Sequence, residues 1–137
     1  EHFRNFHPGG KLGARLARVG DLMHDDMPLV PEAAPMAEAL LTISARGFGV
    51  TGVTGPDGRL TGIITDGDLR RHMDGLLTHS AAEVMTRAPR TIAPGALAEA
   101  ALAEMQARKI TCLFAVEEDG RPAGILHIHD CLRAGMV

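Results

Sequence analysis

Two stretches of this sequence bring a hydroxyl or imidazole, a carboxylate and a guanidinium to the end of an apolar run. The first is Gly62-Ile63-Ile64-Thr65-Asp66-Gly67-Asp68-Leu69-Arg70-Arg71, and the second is Gly124-Ile125-Leu126-His127-Ile128-His129-Asp130-Cys131-Leu132-Arg133. A threonine hydroxyl donates to phosphate or carboxylate oxygens, and an aspartate three residues on can accept from two neighbouring sugar hydroxyls. An apolar strand passing into a short helix adds free backbone N–H groups to that set. The same two residue types also serve as a plain helix cap, and Thr65 and Asp68 fit both roles. In the second stretch Asp130 takes the place of Asp68, and His127 stands where the threonine stood. His127 and His129 alternate along a strand and so share a face, which suggests a metal, but no third ligand accompanies them. Arg70, Arg71 and Arg133 follow the motifs and can pair with a phosphate or a carboxylate, or simply form a solvated helix face.

Composition narrows the chemistry. The chain has 137 residues, about one domain, and 45% of them are hydrophobic, enough for a core. Its net charge of −3 argues against a nucleic-acid footprint, and no Trp or Tyr and only four Phe are present to stack on bases. A ligand base would therefore lie between aliphatic side chains. No apolar run approaches the roughly 18 residues of a membrane span, and no signal peptide is visible. Cys112 and Cys131 have neither CxxC spacing nor a secreted context, so they read as reduced thiols of a cytoplasmic protein. No nucleophile–base constellation appears.

The elements that position these residues come in duplicate. Shifting the numbering by 62 makes roughly 13 of about 51 positions identical between Asp21 and Arg71, without a gap. Met23 matches Met85, Asp57-Gly58-Arg59 matches Asp119-Gly120-Arg121, and Asp68 matches Asp130. Each copy has a short extended entry (Leu29-Val30-Pro31 in the first). A helix follows, carrying Met36, Ala39, Leu40 and Ile43 on one face in the first copy and Ala98, Ala101, Leu102 and Met105 in the second. Gly47 and Gly49 end the first of these helices. Hairpins follow, with strands over 50–54 and 60–65, then 112–116 and 123–127, around Asp-Gly tips. A short helix closes each copy, over 66–73 and 128–134. Upstream, Leu12, Leu16 and Val19 predict a helix over 11–19 that stops near Gly20. A β-α-β-β-α unit leaves one face of its sheet bare. Two units are expected to bury those faces together, packed about a pseudo-twofold axis, with the Thr65 and His127 junctions lining clefts.

The duplicated unit, with Thr65-x-x-Asp68 after a Gly-Ile-Ile strand, resembles a CBS domain pair, or Bateman module, over Val19 to Val137. A narrower resemblance, to the D-arabinose-5-phosphate isomerase family, rests on four segments in order. These are His7-Pro8-Gly9-Gly10-Lys11-Leu12-Gly13, Asp21-Leu22-Met23-His24, Thr65 to Arg71, and His127 to Gly135. That family joins a sugar isomerase (SIS) domain to a CBS pair and makes the precursor of Kdo, a sugar acid of lipopolysaccharide. Ile128 and Cys131 depart mildly from its pattern, altering packing but not charge.

The resemblance implies an α+β fold of two CBS repeats, 19–80 and 81–137, after a remnant over 1–18 of an upstream SIS domain and its linker. It implies ligand-binding residues Thr65, Asp68, Val30, Gly49, Thr51 and Arg71 in the first copy. In the second copy they are Thr91, Ile92, Thr111, Cys112, His127, His129, Asp130 and Arg133. Ordinary core or strand-start roles are the alternative for the strand positions. His7 matches the family's active-site histidine, but without a SIS body it has no pocket, so no catalysis is expected from this chain. The implied role is a regulatory nucleotide or nucleotide-sugar sensor with CMP-Kdo or an adenine nucleotide as ligand, no cofactor and no metal. Its partners would be the parent's SIS domain and a second CBS pair within a tetramer, with neither nucleic acid nor membrane. The rival role is a purely structural module that holds SIS domains together and binds nothing.

Overall fold

The computed structural model describes residues 16–136, so His7 and the upstream motif around it lie outside the described residues. In chain order the helices are α1 (Val19–Leu22), α2 (Met36–Arg46), α3 (Asp66–Arg71), α4 (Ala81–Val84), α5 (Ala98–Arg108) and α6 (Ile128–Arg133). The strands are β1 (Leu29–Pro31), β2 (Thr51–Thr54), β3 (Leu60–Ile64), β4 (Thr86–Arg87), β5 (Thr91–Ile92), β6 (Cys112–Val116) and β7 (Pro122–His127). The expected α+β class and the repeated order of elements are both present. Of the helix expected over 11–19, residues 11–15 lie outside the described residues and 16–18 are not helical, while a separate short helix starts at Val19 and contains Gly20.

The chain forms two compact units, a central one over Met27–Pro89 and a split one made of residues up to Asp26 together with those from Arg90 onward. In the central unit β1 pairs parallel with β2, and β2 and then β3 pair antiparallel with β3 and β4, giving the order β1-β2-β3-β4. In the split unit the order is β5-β6-β7, with His24 bridging antiparallel to Ile125 beyond β7. Thr86 pairs with Ile63 in the central unit, so the β4 register and the His24 bridge match under the 62-residue shift.

These edge pairings show that packing does not follow the sequence repeats. Residues 81–87 belong to the second copy, yet β4 completes the central sheet. Residues 17–24 precede the first copy's own strands, yet they bridge onto the split unit. Backbone bonds repeat the exchange residue for residue. Ala81 and Ala82 donate to the carbonyls of Ala34 and Glu32 at 2.8 and 3.0 Å, and Val19 and Gly20 donate to those of Ala96 and Pro94 at 2.8 Å. Ser80 and Glu83 form the capping box that starts α4, and Glu83 bonds the Ser80 N–H at 2.9 Å.

Burial explains why the exchange is stable. Ala81, Val84 and Met85 are buried with Val30, Met36 and Ile64 in the central core. Ala17 and Val19 are buried with Leu102, Met105 and Leu126 in the split core. Two glycines admit the crossing segments. A Cβ on Gly62 would collide with the Met85 thioether and lie 2.8 Å from the Thr86 carbonyl oxygen. A Cβ on Gly124 would meet Met23 and lie 2.8 Å from the His24 carbonyl oxygen in the same way. Helix α2 stops at Gly47, whose φ is +76°, as glycine favours. Its counterpart α5 stops at Lys109, which adopts φ +58° without that freedom.

Candidate functional site

In the central unit the end of β3 is fixed by the sheet and the start of α3 by a capping box. Thr65 is extended at the N-cap. Its N–H and hydroxyl donate to Asp68 Oδ2 at 2.8 and 3.0 Å, and its Oγ accepts from the Asp68 N–H at 3.4 Å. Asp68 is only 2% exposed. Its other oxygen, Oδ1, accepts from Thr86 Oγ and Arg71 Nη2, both at 2.6 Å. A carboxylate has about four acceptor positions, and all of them are used. Burial is the largest single influence on the Asp68 pKa and pushes it up. The bonds from Thr86, the Thr65 N–H, Arg71 and the Thr65 hydroxyl together overcome it and hold the carboxyl below its ordinary 3.8. Asp68 is therefore a charged, fully partnered anchor, and the capping role expected of it is present.

The split unit repeats this corner with different chemistry. The His127 N–H donates to Asp130 Oδ2 at 2.8 Å. Oδ1 accepts from His24 Nε2 at 2.9 Å and from Arg133. His127 Nδ1 accepts the His129 N–H at 3.1 Å and so caps α6 with an imidazole. A ring nitrogen that accepts carries no proton, so His127 in this cap is the Nε2–H tautomer. Burial lowers the His127 pKa most, His129 adds to it, Asp130 opposes, and Arg133 and His24 contribute further lowering.

Each carboxylate pins an arginine whose side chain is otherwise mostly in solvent, 63% exposed for Arg71 and 66% for Arg133. The fourteen expected site residues thus fall into two sets, one per unit. Thr65, Asp68 and Arg71 converge in the central unit, and His127, His129, Asp130 and Arg133 in the split one. Thr51 is buried and opposite Ile64, one residue before the corner. Gly49 has φ +78° just ahead of β2. Cys112 lies opposite His127, and the Thr111 carbonyl accepts the Ile128 N–H at 2.8 Å. Val30 is a core residue opposite Val53, while Thr91 and Ile92 lie opposite Phe114 and Ala115, further along β6 from the corner.

Sequence reasoning missed Thr86 and His24, which reach the two carboxylates across the chain exchange. Their match under the 62-residue shift, next to the matched Met23 and Met85, was the available signal. Among the described residues no three His, Cys, Asp or Glu are placed to hold a metal ion, and no helix is long and apolar enough to cross a membrane.

The CBS domain family matches residues 19–75 and 81–137. Arabinose 5-phosphate isomerase KdsD of Salmonella typhi is 43% identical over 143 residues, covering 100% of this chain and 43% of that protein. The chain thus spans less than half the length of the curated relatives it matches. Among solved structures, CBSX2 in complex with AMP superposes with a TM-score of 0.75 at 23% identity, over 86% of this chain and 95% of that one. The CBS domain pair of protein MJ0100 in complex with 5'-methylthioadenosine and S-adenosyl-L-methionine superposes with a TM-score of 0.76 at 20% identity, over 86% and 94%. The duplicated sequence, the paired Asp-anchored corners and these matches agree: this chain belongs to the CBS domain family, as a tandem pair.

Proposed function

We propose that this chain is the regulatory, non-catalytic module of an arabinose-5-phosphate isomerase and that its ligand is a nucleotide or nucleotide-sugar. The observation that carries the reading is the pair of corners in which a buried aspartate holds an exposed arginine at the end of a strand. Similarity along the whole of this chain to 43% of KdsD supports the parent, and the adenine ligands named for two structural relatives support the ligand class. Because Asp68 is saturated, ribose binds there by exchange. Sugar hydroxyls replace the Arg71 or Thr86 donor, and the released guanidinium turns to the phosphate. CMP-Kdo suits this exchange, since it carries a ribose, a phosphate and a carboxylate. Feedback on the SIS domain follows if the ligand favours one arrangement of the parent over another. A second CBS pair in a tetrameric parent is the expected partner, and a nucleotide ligand with two thiol cysteines fits a cytoplasmic setting.

Calorimetric titration of CMP-Kdo, AMP and ATP into the chain tests the reading. Heat of binding that Arg71→Met abolishes supports it, and silence from all three rejects it. The same saturation of Asp68 favours a second reading, in which the corners only brace the fold and the pair holds SIS domains together. Unchanged kinetics in a full-length parent carrying Arg71→Met and Arg133→Met would favour that alternative.

A further inference from the structure

The 62-residue shift places Thr65, Gly67 and Thr86 around Asp68, but His127, His129 and His24 around Asp130. The frame is the same in both: His24 donates to Asp130 Oδ1 as Thr86 donates to Asp68 Oδ1. The His129 ring lies with its centroid 4.6 Å from that of His127, and the exposed Arg133 is held on Asp130. Three imidazoles and a guanidinium therefore share one corner, and no counterpart of this set exists in the central unit.

We infer that the split-unit corner is a proton-coupled anion site, which takes a phosphate- or carboxylate-bearing group together with protons on His24 and His129. The central corner takes the same kind of group with less proton uptake. The inference rests on the reading that these corners bind ligands, and it sets their division of labour.

The charges facing each corner support the difference. With neutral histidines, the Arg133 charge is matched by the Asp130 carboxylate that holds it, so an anion meets no net attraction. Protons on His24 and His129 tip the corner positive, and they keep both the His24 bond to Asp130 and the His129 N–H bond to His127 intact. His127 has to stay neutral at Nδ1 to cap α6, and it offers Nε2–H as a donor. Cys112, opposite His127, and Cys131, beside Asp130, are thiols whose pKa is pushed up to about 11, so they add no charge. In the central corner Arg71 is matched by Asp68 and Arg70 by Asp66. Its imidazole, His72, donates Nδ1–H to the Asp68 carbonyl at 3.0 Å, and its ring packs edge-on against His79. Histidine changes charge between about pH 5 and 8, so the split corner, with His24 and His129 on the Asp130 frame, gains more charge in that range than the central one, with His72 alone on the Asp68 frame.

Sulfate is the probe of choice, because it does not itself titrate between pH 5.5 and 7.5 and any pH dependence belongs to the protein. Backbone amide shifts followed during sulfate titrations at those two pH values read the corners separately. The expected result is binding at His127–Arg133 at least about tenfold tighter at pH 5.5 than at 7.5, against less than about threefold change at Thr65–Arg71. His129→Gln, at an exposed position, should flatten most of the rise. His24→Gln, whose amide can still donate to Asp130, should flatten the rest, with sulfate at Thr65–Arg71 unaltered. Equal affinity at both pH values in the split corner, or a rise that survives the double variant, overturns the inference while sulfate at Thr65–Arg71 keeps the ligand reading. Sulfate at neither corner, with the three nucleotides also silent, overturns both.

Discussion

Gly62→Ala is the sharpest test of the chain exchange. A Cβ at this position overlaps the Met85 thioether and comes within 2.8 Å of both Met85 Cγ and the Thr86 carbonyl oxygen. Carbon contacts are comfortable at about 3.5–4.0 Å, so the crossing segment has to retreat by about 0.7 Å or more. Rotating Met85 relieves only part of the clash, because the Thr86 carbonyl belongs to the backbone. Retreat breaks the Thr86 bond to Asp68 and loosens the pairing of Thr86 with Ile63. Overpacking costs about 1–3 kcal/mol and a lost bond to a charged group about 1.5–3, so a total of about 3 kcal/mol or more is expected. In urea this lowers the midpoint by about 1.5 M or more, read by circular dichroism. Gly124→Ala, crowded by Met23 and the His24 carbonyl, should behave alike. Gly95→Ala is the control: a Cβ there meets nothing within 4 Å and its backbone is unstrained, so a change within about 0.5 kcal/mol is expected. A Gly62→Ala protein within about 1 kcal/mol of the Gly95→Ala protein would refute the reasoning.

Thr86→Val removes one of four donors from Asp68 and should cost about 2 kcal/mol in the same urea assay. Acidification should act in two steps. The folded His127 pKa lies below 6.5, so as pH falls through about 6.5 the unfolded chain binds more protons and stability drops, a step His127→Gln should remove from melting curves. Asp68, held below 3.8, keeps its contribution above that value and loses it as pH falls through the lower folded pKa, so Asp68→Asn should blunt the acid limb. Burial pushes the Cys112 and Cys131 thiols up to about 11, so iodoacetamide at pH 7.5 should alkylate the native chain about a hundredfold more slowly than the unfolded one, as counted by mass spectrometry.

Periodicity made much of this fold legible. Ala98, Ala101, Leu102 and Met105 are all buried as their spacing demands. In the first copy Met36 and Ala39 are buried, with Leu40 and Ile43 packed against the same core. The hairpins sit within a residue or two of the runs that predicted them, because Asp-Gly tips fix a turn locally. Helix α4 was missed, although Ser80 and Glu83 carry its capping signature, because four residues are too few to show a period. The exchange was missed for a different reason. Met85 fits Gly62 and Met23 fits Gly124 across pairs far apart in sequence, and a pattern of apolar positions says which face is buried but not against what. The corner residues Thr65 and Asp68 were found as a local motif, whereas Thr86 and His24 reach it only through that long-range fit.

The exchange also sets an order of assembly. In the central unit the bond from Thr86 to Asp68 joins residues 18 apart, and the whole unit is continuous in sequence. In the split unit Arg18 meets Gly95 across 77 residues and His24 meets Asp130 across 106. Longer loops take longer to find their ends, so the central unit closes early while residues 17–24 wait with Val19, Leu22 and Met23 uncovered. On the ribosome that wait lasts until β7 and α6 emerge, so of the two corners the histidine-lined one matures later.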